Sequence, residues 1–259
     1  MRTRSKKEIR RDQIVGVAVF LTVWEISAWC VGSKLVLPSV SQIAVAFWDL
    51  LISGELILAL SESISLLIVG LAISTVIGFI LGALVARSRT AYWMLNPYFS
   101  ALFATPTIAL VPLVLVWFGF GFPGRVIVVI LAAVVPIMFS VASGLRDDPK
   151  DLVDVARSFG VKGELALLFR VRVRAALPVL MAGLRLAAGR GVVGMAVAET
   201  YLRLGGIGGL IKSYGSMFQT DYVFAAILPL SLLGITLVSL IGRLERRFQW
   251  SWVGGRNAR

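Results

Sequence analysis

The sequence predicts an all-α fold, a polytopic membrane protein with six transmembrane helices. Composition is the first reason. Of 259 residues, 58% are hydrophobic and only 15% are charged, whereas soluble domains hold about 45–50% apolar and about 25% charged residues. A water-soluble chain of this length has too little interior to hide that apolar surface, so lipid must solvate it. The second reason is six apolar windows, each close to the roughly 20 residues a helix needs to cross a bilayer. The third is the placement of Lys and Arg. With the N-terminus in the cytoplasm, the segments between windows put twenty of these residues inside and four outside, the bias by which membrane proteins orient. An even number of spans returns the C-terminus to the same side.

Residues 1–12 form a basic tail ahead of the first window, 13–32. That window is long enough to span and lacks the small-residue exit of a secretory signal, so an uncleaved helix is expected. Residues 38–52 place Ile43, Ala44, Phe47, Trp48, Leu50 and Leu51 at helical spacing after a Pro38-Ser39 start signal. This predicts a short helix lying at the outer interface, grouped with the first span as a unit at 13–57. A core at 58–245 holds the remaining windows, 61–86, 97–118, 125–144, 183–202 and 223–242, and a basic tail at 246–259 follows. The third window contains Thr105-Pro106-Thr107 and Pro112, and the fourth Pro136. Membrane helices tolerate such prolines and kink at them.

Several classes of function are disfavoured. Without histidine, and with Cys30 as its single cysteine, the chain lacks the commonest metal ligand and general base and cannot form an internal disulfide. The spans hold no clustered carboxylates, which argues against an integral membrane enzyme. No G-x-x-x-x-G-K-[ST] phosphate loop occurs, so no catalytic residues and no bound cofactor are expected. The net charge of +12 is read as topology signalling and attraction to anionic lipid, with the bilayer and not nucleic acid as partner.

The longest cytoplasmic segment, 145–182, is not loop-like. Asp147, Asp148 and Asp151 suit a helix start. Leu152, Val153, Val155, Ala156 and Phe159 then recur at helical spacing before Gly160 breaks the run. Glu164 to Ala176 is a second helical run, with Leu165, Leu168, Phe169 and Val173 apolar, ending at Leu177-Pro178. The result is a helix–Gly–helix hairpin whose apolar face needs either the protein's own helix ends or a partner. Gly160 is expected at positive φ or at a close backbone approach.

The run Asp154-Val155-Ala156-Arg157-Ser158-Phe159-Gly160, with Phe169-Arg170-Val171 and Ala175-Ala176-Leu177-Pro178, resembles the "EAA" loop of binding-protein-dependent ABC permeases. Asp154 and Val155 stand where that family usually has Glu and Ala, and Val173-Arg174 where many members have an additional Leu-Pro. Trp24-Glu25, Leu37-Pro38-Ser39, Gly183 to Ala187, Ala198-Glu199, Gly205 to Gly209, Phe218 to Asp221 and Arg243 to Arg247 extend the likeness to the nitrate/sulfonate/taurine branch. The resemblance implies a type I ABC importer permease fold acting as a homodimer. It further implies two cytoplasmic ATPase subunits that hold ATP and Mg, and an extracytoplasmic solute-binding protein. It makes Asp154, Val155, Ala156, Arg157, Phe159, Gly160, Leu168, Phe169 and Pro178 the residues that couple to the ATPase. The substrate it implies is a small organic or inorganic anion, with a pyrimidine precursor of thiamine as the alternative. A secondary transporter or channel is the competing class. Internal repeats or broken helices near the midplane would mark it.

Ionisable groups at membrane depth cost about 2.5–3.5 kcal/mol each and face a partner or a cavity. Glu25 is expected in the middle of the first span. Arg185 and Arg190 fall in the inner half of the fifth, Arg185 snorkelling to the interface and Arg190 pairing with Glu25 or another acidic group, or lining the path. Glu199 precedes the Gly205–Gly209 stretch, which can serve as a gate or a re-entrant turn. Thr105, Thr107, Ser140, Ser143 and Thr200 are further path candidates, with bonding to their own helix carbonyls as the alternative.

Overall fold

The computed structural model describes residues 6–146, 150–202 and 205–253. Among them every regular element is a helix. Helix α1 spans Lys6–Val31, α2 Val40–Ile52, α3 Glu55–Arg87, α4 Arg89–Ala104, α5 Thr107–Phe118 and α6 Phe122–Arg146. There follow α7 Lys150–Ser158, α8 Glu164–Leu167, a π turn at Leu168–Arg172, α9 Val173–Leu202, α10 Gly206–Ser216 and α11 Thr220–Val253.

Helices α3, α6 and α9 form the centre of the bundle. Small residues permit this. A side chain at Gly78 or Gly82 of α3 would stand 2.9 Å from Ile137 Cβ or 2.6 Å from Val141 Cβ of α6. One at Gly194 of α9 would stand 2.7 Å from Ala132. Close approach of backbones replaces the hydrophobic drive that lipid cannot supply. Around this contact Ala133, Ile137, Val141, Leu145, Ala176 and Ala187 are buried together.

Helix α2 begins where its sequence signal places it. Ser39 accepts the Gln42 N–H and the Gln42 side chain accepts the Ser39 N–H, a complete capping box. Ile43, Ala46 and Leu50 are buried against Leu56 and Ala225, while Ala44 and Trp48 face outward.

Two segments differ from expectation. The third is no single helix: α4 and α5 meet at 99° across Thr105-Pro106. Pro106 has no N–H for the ladder and disfavours helical backbone at Thr105, so the helix stops there. The second limb of the hairpin does not end at Pro178 either, because α9 runs through it. Among the described residues four helices, at Arg11–Val31, Glu55–Arg87, Phe122–Arg146 and Thr220–Arg247, are long and apolar enough to cross a membrane, and a fifth crossing follows if the bent pair counts as one. Helix α9, 30 residues long with Arg174, Arg185, Arg190 and Glu199 along it, is not among those four.

Candidate functional site: an exposed hairpin and a buried clasp joined by one helix

The hairpin is built from α7, α8 and the π turn. The turn after α7 is closed by two bonds, Val161 N–H to Ala156 O and Gly160 N–H to Arg157 O, both 3.0 Å. These are the paired bonds of a Schellman motif, with Gly160 in the left-handed position at φ +85°. A side chain there would meet nothing within 4 Å, so backbone conformation and not space demands the glycine. Leu152, Val155 and Phe159 form an exposed stripe on α7, continued by Leu165 and Phe169. Phe159 is 85% exposed and Leu165 73%, far more than an apolar side chain keeps when its own fold covers it. Asp154, Arg157 and Gly160 are also exposed, Ala156 is half-buried, and Pro178 is exposed on α9. Asp147 and Asp148 lie outside the described residues.

The other face of the hairpin is rooted. Val153 and Leu167 are buried, and Leu168 and Val173 pack on the α6 core. Leu168 is therefore an anchor and not part of the exposed stripe. Phe169 stacks on Phe79 of α3 at 6.2 Å. Glu164, which the sequence did not single out, bridges the limbs through Arg157 at 3.4 Å and Arg172 at 3.2 Å.

At the far end of α9 the Gly-rich stretch is a helix start, not an irregular loop. Gly206, Ile207 and Gly208 present the first amides of α10. Gly206 N–H donates to Glu62 Oε2 at 2.7 Å, Ile207 N–H to Ser63 Oγ at 2.9 Å, and Gly208 N–H to Glu199 Oε2 at 2.9 Å. Ser63 Oγ in turn donates to the Glu199 carboxylate, 2.7 Å from Oε1 and 2.9 Å from Oε2. Three of the four amides that a helix start leaves open are thus satisfied, two of them by carboxylates at the positive end of the helix dipole. Glycine is required here: Gly206 has φ +72°, a Cβ on it would run into the Glu199 carboxylate, and one on Gly208 would stand 2.7 Å from Ala196 O. Gly205, at φ +67°, is likewise crowded by Glu62. Glu199 is fully buried. It closes a clasp between α3, α9 and α10.

The remaining polar candidates also have defined partners. Glu25 stands near the end of α1 and accepts from Val40 N–H at 2.6 Å and Ser41 Oγ at 2.9 Å. It caps α2 and does not meet Arg190. Its partner is a helix start only fifteen residues on. Arg190 Nη1 donates to Phe103 O at 3.4 Å, with its guanidinium 3.9 Å from the Phe103 ring. The α4–α5 break removes the amide that would have bonded that carbonyl, and the cation suits the negative end of α4. Arg185 pairs with Glu245 of α11. Thr105, Ser143 and Thr200 bond carbonyls of their own helices, and Thr107 opens α5.

Residues 74–250 match the family model described as the binding-protein-dependent transport system inner membrane component. This chain belongs to that family. The permease is 34% identical over 239 residues to a putative aliphatic sulfonates transport permease of Escherichia coli, covering 90% of each chain. It is 31% identical to the Bacillus subtilis protein of the same description, covering 89% of this chain and 83% of that one. A formylaminopyrimidine transport permease of Halalkalibacterium halodurans is 32% identical, covering 88% and 90%. Permeases named for taurine and nitrate match at 27% and 28%, which places the chain in the sulfonate/taurine/nitrate branch. Among solved structures, an inward-facing form of the MetNI methionine ABC transporter shares the fold at TM-score 0.58 and 18% identity, covering 73% of this chain and 96% of that one. The fold is that of type I ABC importer permeases. The permease is a multi-pass inner-membrane transport subunit, not an enzyme, and the secondary-transporter reading is set aside. The bend at Thr105-Pro106 is a broken helix within a permease.

Proposed function

We propose that the permease, as a homodimer, carries a small anion of the sulfonate, taurine or nitrate kind across the inner membrane, driven by two ATPase subunits that dock on the Leu152–Phe169 hairpin. The exposed stripe of Leu152, Val155, Phe159 and Leu165, held on a turn of fixed geometry, carries this reading. An apolar face of that size, rooted in the core on its opposite side, has the form of a plug for a groove in a partner. Counting α9 and the bent pair each once gives six crossings, a reading in which both termini and the hairpin lie in the cytoplasm and which the twenty-to-four distribution of Lys and Arg supports. The clasp then faces the side from which a solute-binding protein delivers substrate. ATP and Mg belong to the ATPase subunits, and this chain binds neither. The sulfonate-, taurine- and nitrate-named relatives support the anion; the formylaminopyrimidine relative supports the alternative, a pyrimidine precursor of thiamine.

The test uses Gly160→Glu and Ala156→Asp in the complex purified with its ATPase and binding protein. Neither change alters a span, so both variants should insert normally. Both should lose ATPase co-purification or substrate-stimulated hydrolysis. Ala156→Asp puts a carboxylate on the docking face, where an unpaired buried polar group costs about 1–3 kcal/mol. Wild-type complex yield and hydrolysis in both would sink the docking assignment. Cysteine labelling adds a check on orientation: position 160 should react only from the cytoplasmic side, and positions 36 and 212 only from the other.

A further inference from the structure

Beside the hairpin lies a cleft of about 630 Å³. One wall is apolar, made of Ala83, Ala86, Leu145, Leu165 and Leu168; the other carries Arg87, Arg146 and Arg172. Its position is specific. Arg87 is the last residue of α3 and Arg146 the last of α6, so two apolar spans end on arginine at the same level. The aromatic pair Tyr92 and Trp93 stands there too, with Trp93 lining the cleft and the Arg146 guanidinium 4.0 Å above the Tyr92 ring. Aromatic and basic residues at the ends of apolar spans mark the headgroup level of a bilayer. Glu164 also lines the cleft, engaged by Arg172 at 3.2 Å and by Arg157 at 3.4 Å. Three guanidiniums against one carboxylate leave the mouth of the cleft positive.

We propose that this cleft binds an anionic phospholipid of the inner leaflet, its phosphate on Arg87 and Arg146 and its glycerol and first acyl carbons along Ala83, Ala86 and Leu145. A basic pocket between helix ends, with an apolar wall leading into the membrane, fits a lipid headgroup. A free phosphate would use the arginines and leave the apolar wall idle. The bound lipid bridges α3 and α6 to the hairpin root, so it steadies the face that the ATPase meets. The inference rests on the orientation proposed above, and its test needs no transport.

The permease–ATPase complex is purified in mild detergent, and the anionic phospholipid retained per chain is measured by mass spectrometry. Wild type is compared with Arg87→Gln/Arg146→Gln and with Arg243→Gln/Arg246→Gln, which removes equal charge from α11. Arg172 is left intact so that the hairpin ion pair survives. The cleft variant should retain about tenfold less lipid, and the α11 variant should match wild type. Equal retention in all three would overturn the proposal. In a second arm, complexes in phosphatidylcholine nanodiscs receive phosphatidylglycerol in the bilayer or inorganic phosphate in solution. Phosphatidylglycerol should raise the thermal midpoint of wild type and not of the cleft variant, and phosphate should do neither. An equal rise with phosphate makes this a site for a free anion and overturns the lipid. Full lipid retention with loss of the ATPase in the cleft variant assigns the arginines to the ATPase seat and overturns it as well. Failure of ATP-driven uptake by wild type would sink the importer reading and leave lipid retention as it was.

Discussion

The two ends of α9 are finished to different degrees. At the clasp, three α10 amides, two carboxylates and a serine satisfy one another, and Glu199 and Ser63 are fully buried. At the hairpin, the turn is as well defined, yet Phe159 and Leu165 stand in the open and the ion pairs among Arg157, Glu164 and Asp154 are exposed. One end is complete within the chain. The other is complete only in its backbone and leaves its side chains for something else to cover. Substitutions at the two ends should therefore fail in different ways.

The largest effect is expected at the clasp. Glu199→Ala removes the acceptor for Ser63 Oγ and Gly208 N–H, and each buried group left unmet costs about 1–3 kcal/mol. The purified permease should melt several degrees lower and express poorly, before any question of transport arises. An unchanged melting curve would show that the clasp does not hold α10 in place. Next in size is the double change Phe159→Asp/Leu165→Asp. Both side chains are exposed, so the permease alone should melt as wild type does. Co-purification of the ATPase should fall to background, and retention at the wild-type level would remove the contrast between the two ends.

Gly160→Ala sharpens the comparison further. Nothing blocks the added methyl, so its cost is the left-handed backbone alone, about 1–2 kcal/mol. The turn should loosen and the complex weaken severalfold, measured by titrating ATPase against nanodisc-held permease. Glu164→Gln comes last. Glu164 and Arg157 are exposed and Arg172 is half-buried, and pairs that solvent reaches contribute about 0–1 kcal/mol. A large loss of ATPase affinity in this variant would mean that Glu164 touches the partner directly.

The hairpin was legible in sequence because its determinants are local. A glycine after an apolar stripe of i, i+3 and i+7 spacing specifies both the turn and the face, and Ser39 with Gln42 specifies the start of α2 in the same way. What the sequence did not disclose is non-local. Glu62 and Ser63 meet their α10 partners across 144 positions, and nothing near Glu199 announces them. Arg185 finds Glu245 on another helix, and Arg190 finds a carbonyl that exists as an orphan only because α4 stops at Pro106. The Thr-Pro-Thr signal was visible, but proline alone does not say whether a membrane helix bends gently or turns by 99°. The line between Leu168 as anchor and Phe169 as exposed contact could not be drawn either. A π turn shifts the helical phase at that point, so spacing counted on a regular helix assigns the wrong face.

Helix α9 is unbroken from Val173 to Leu202, which at 1.5 Å per residue puts Glu199 about 40 Å from the hairpin root. Held at the clasp and packed along its length on α3 and α6, such a rod moves only with the bundle it belongs to. Were that bundle to tilt by about 10° about the clasp, the hairpin end would sweep through about 7 Å, and Arg190, part-way along, through a smaller arc. The joint between rod and hairpin is the π turn, whose looser bonding suits a hinge. In such a tilt, displacement would grow with distance along α9 from the clasp to the hairpin.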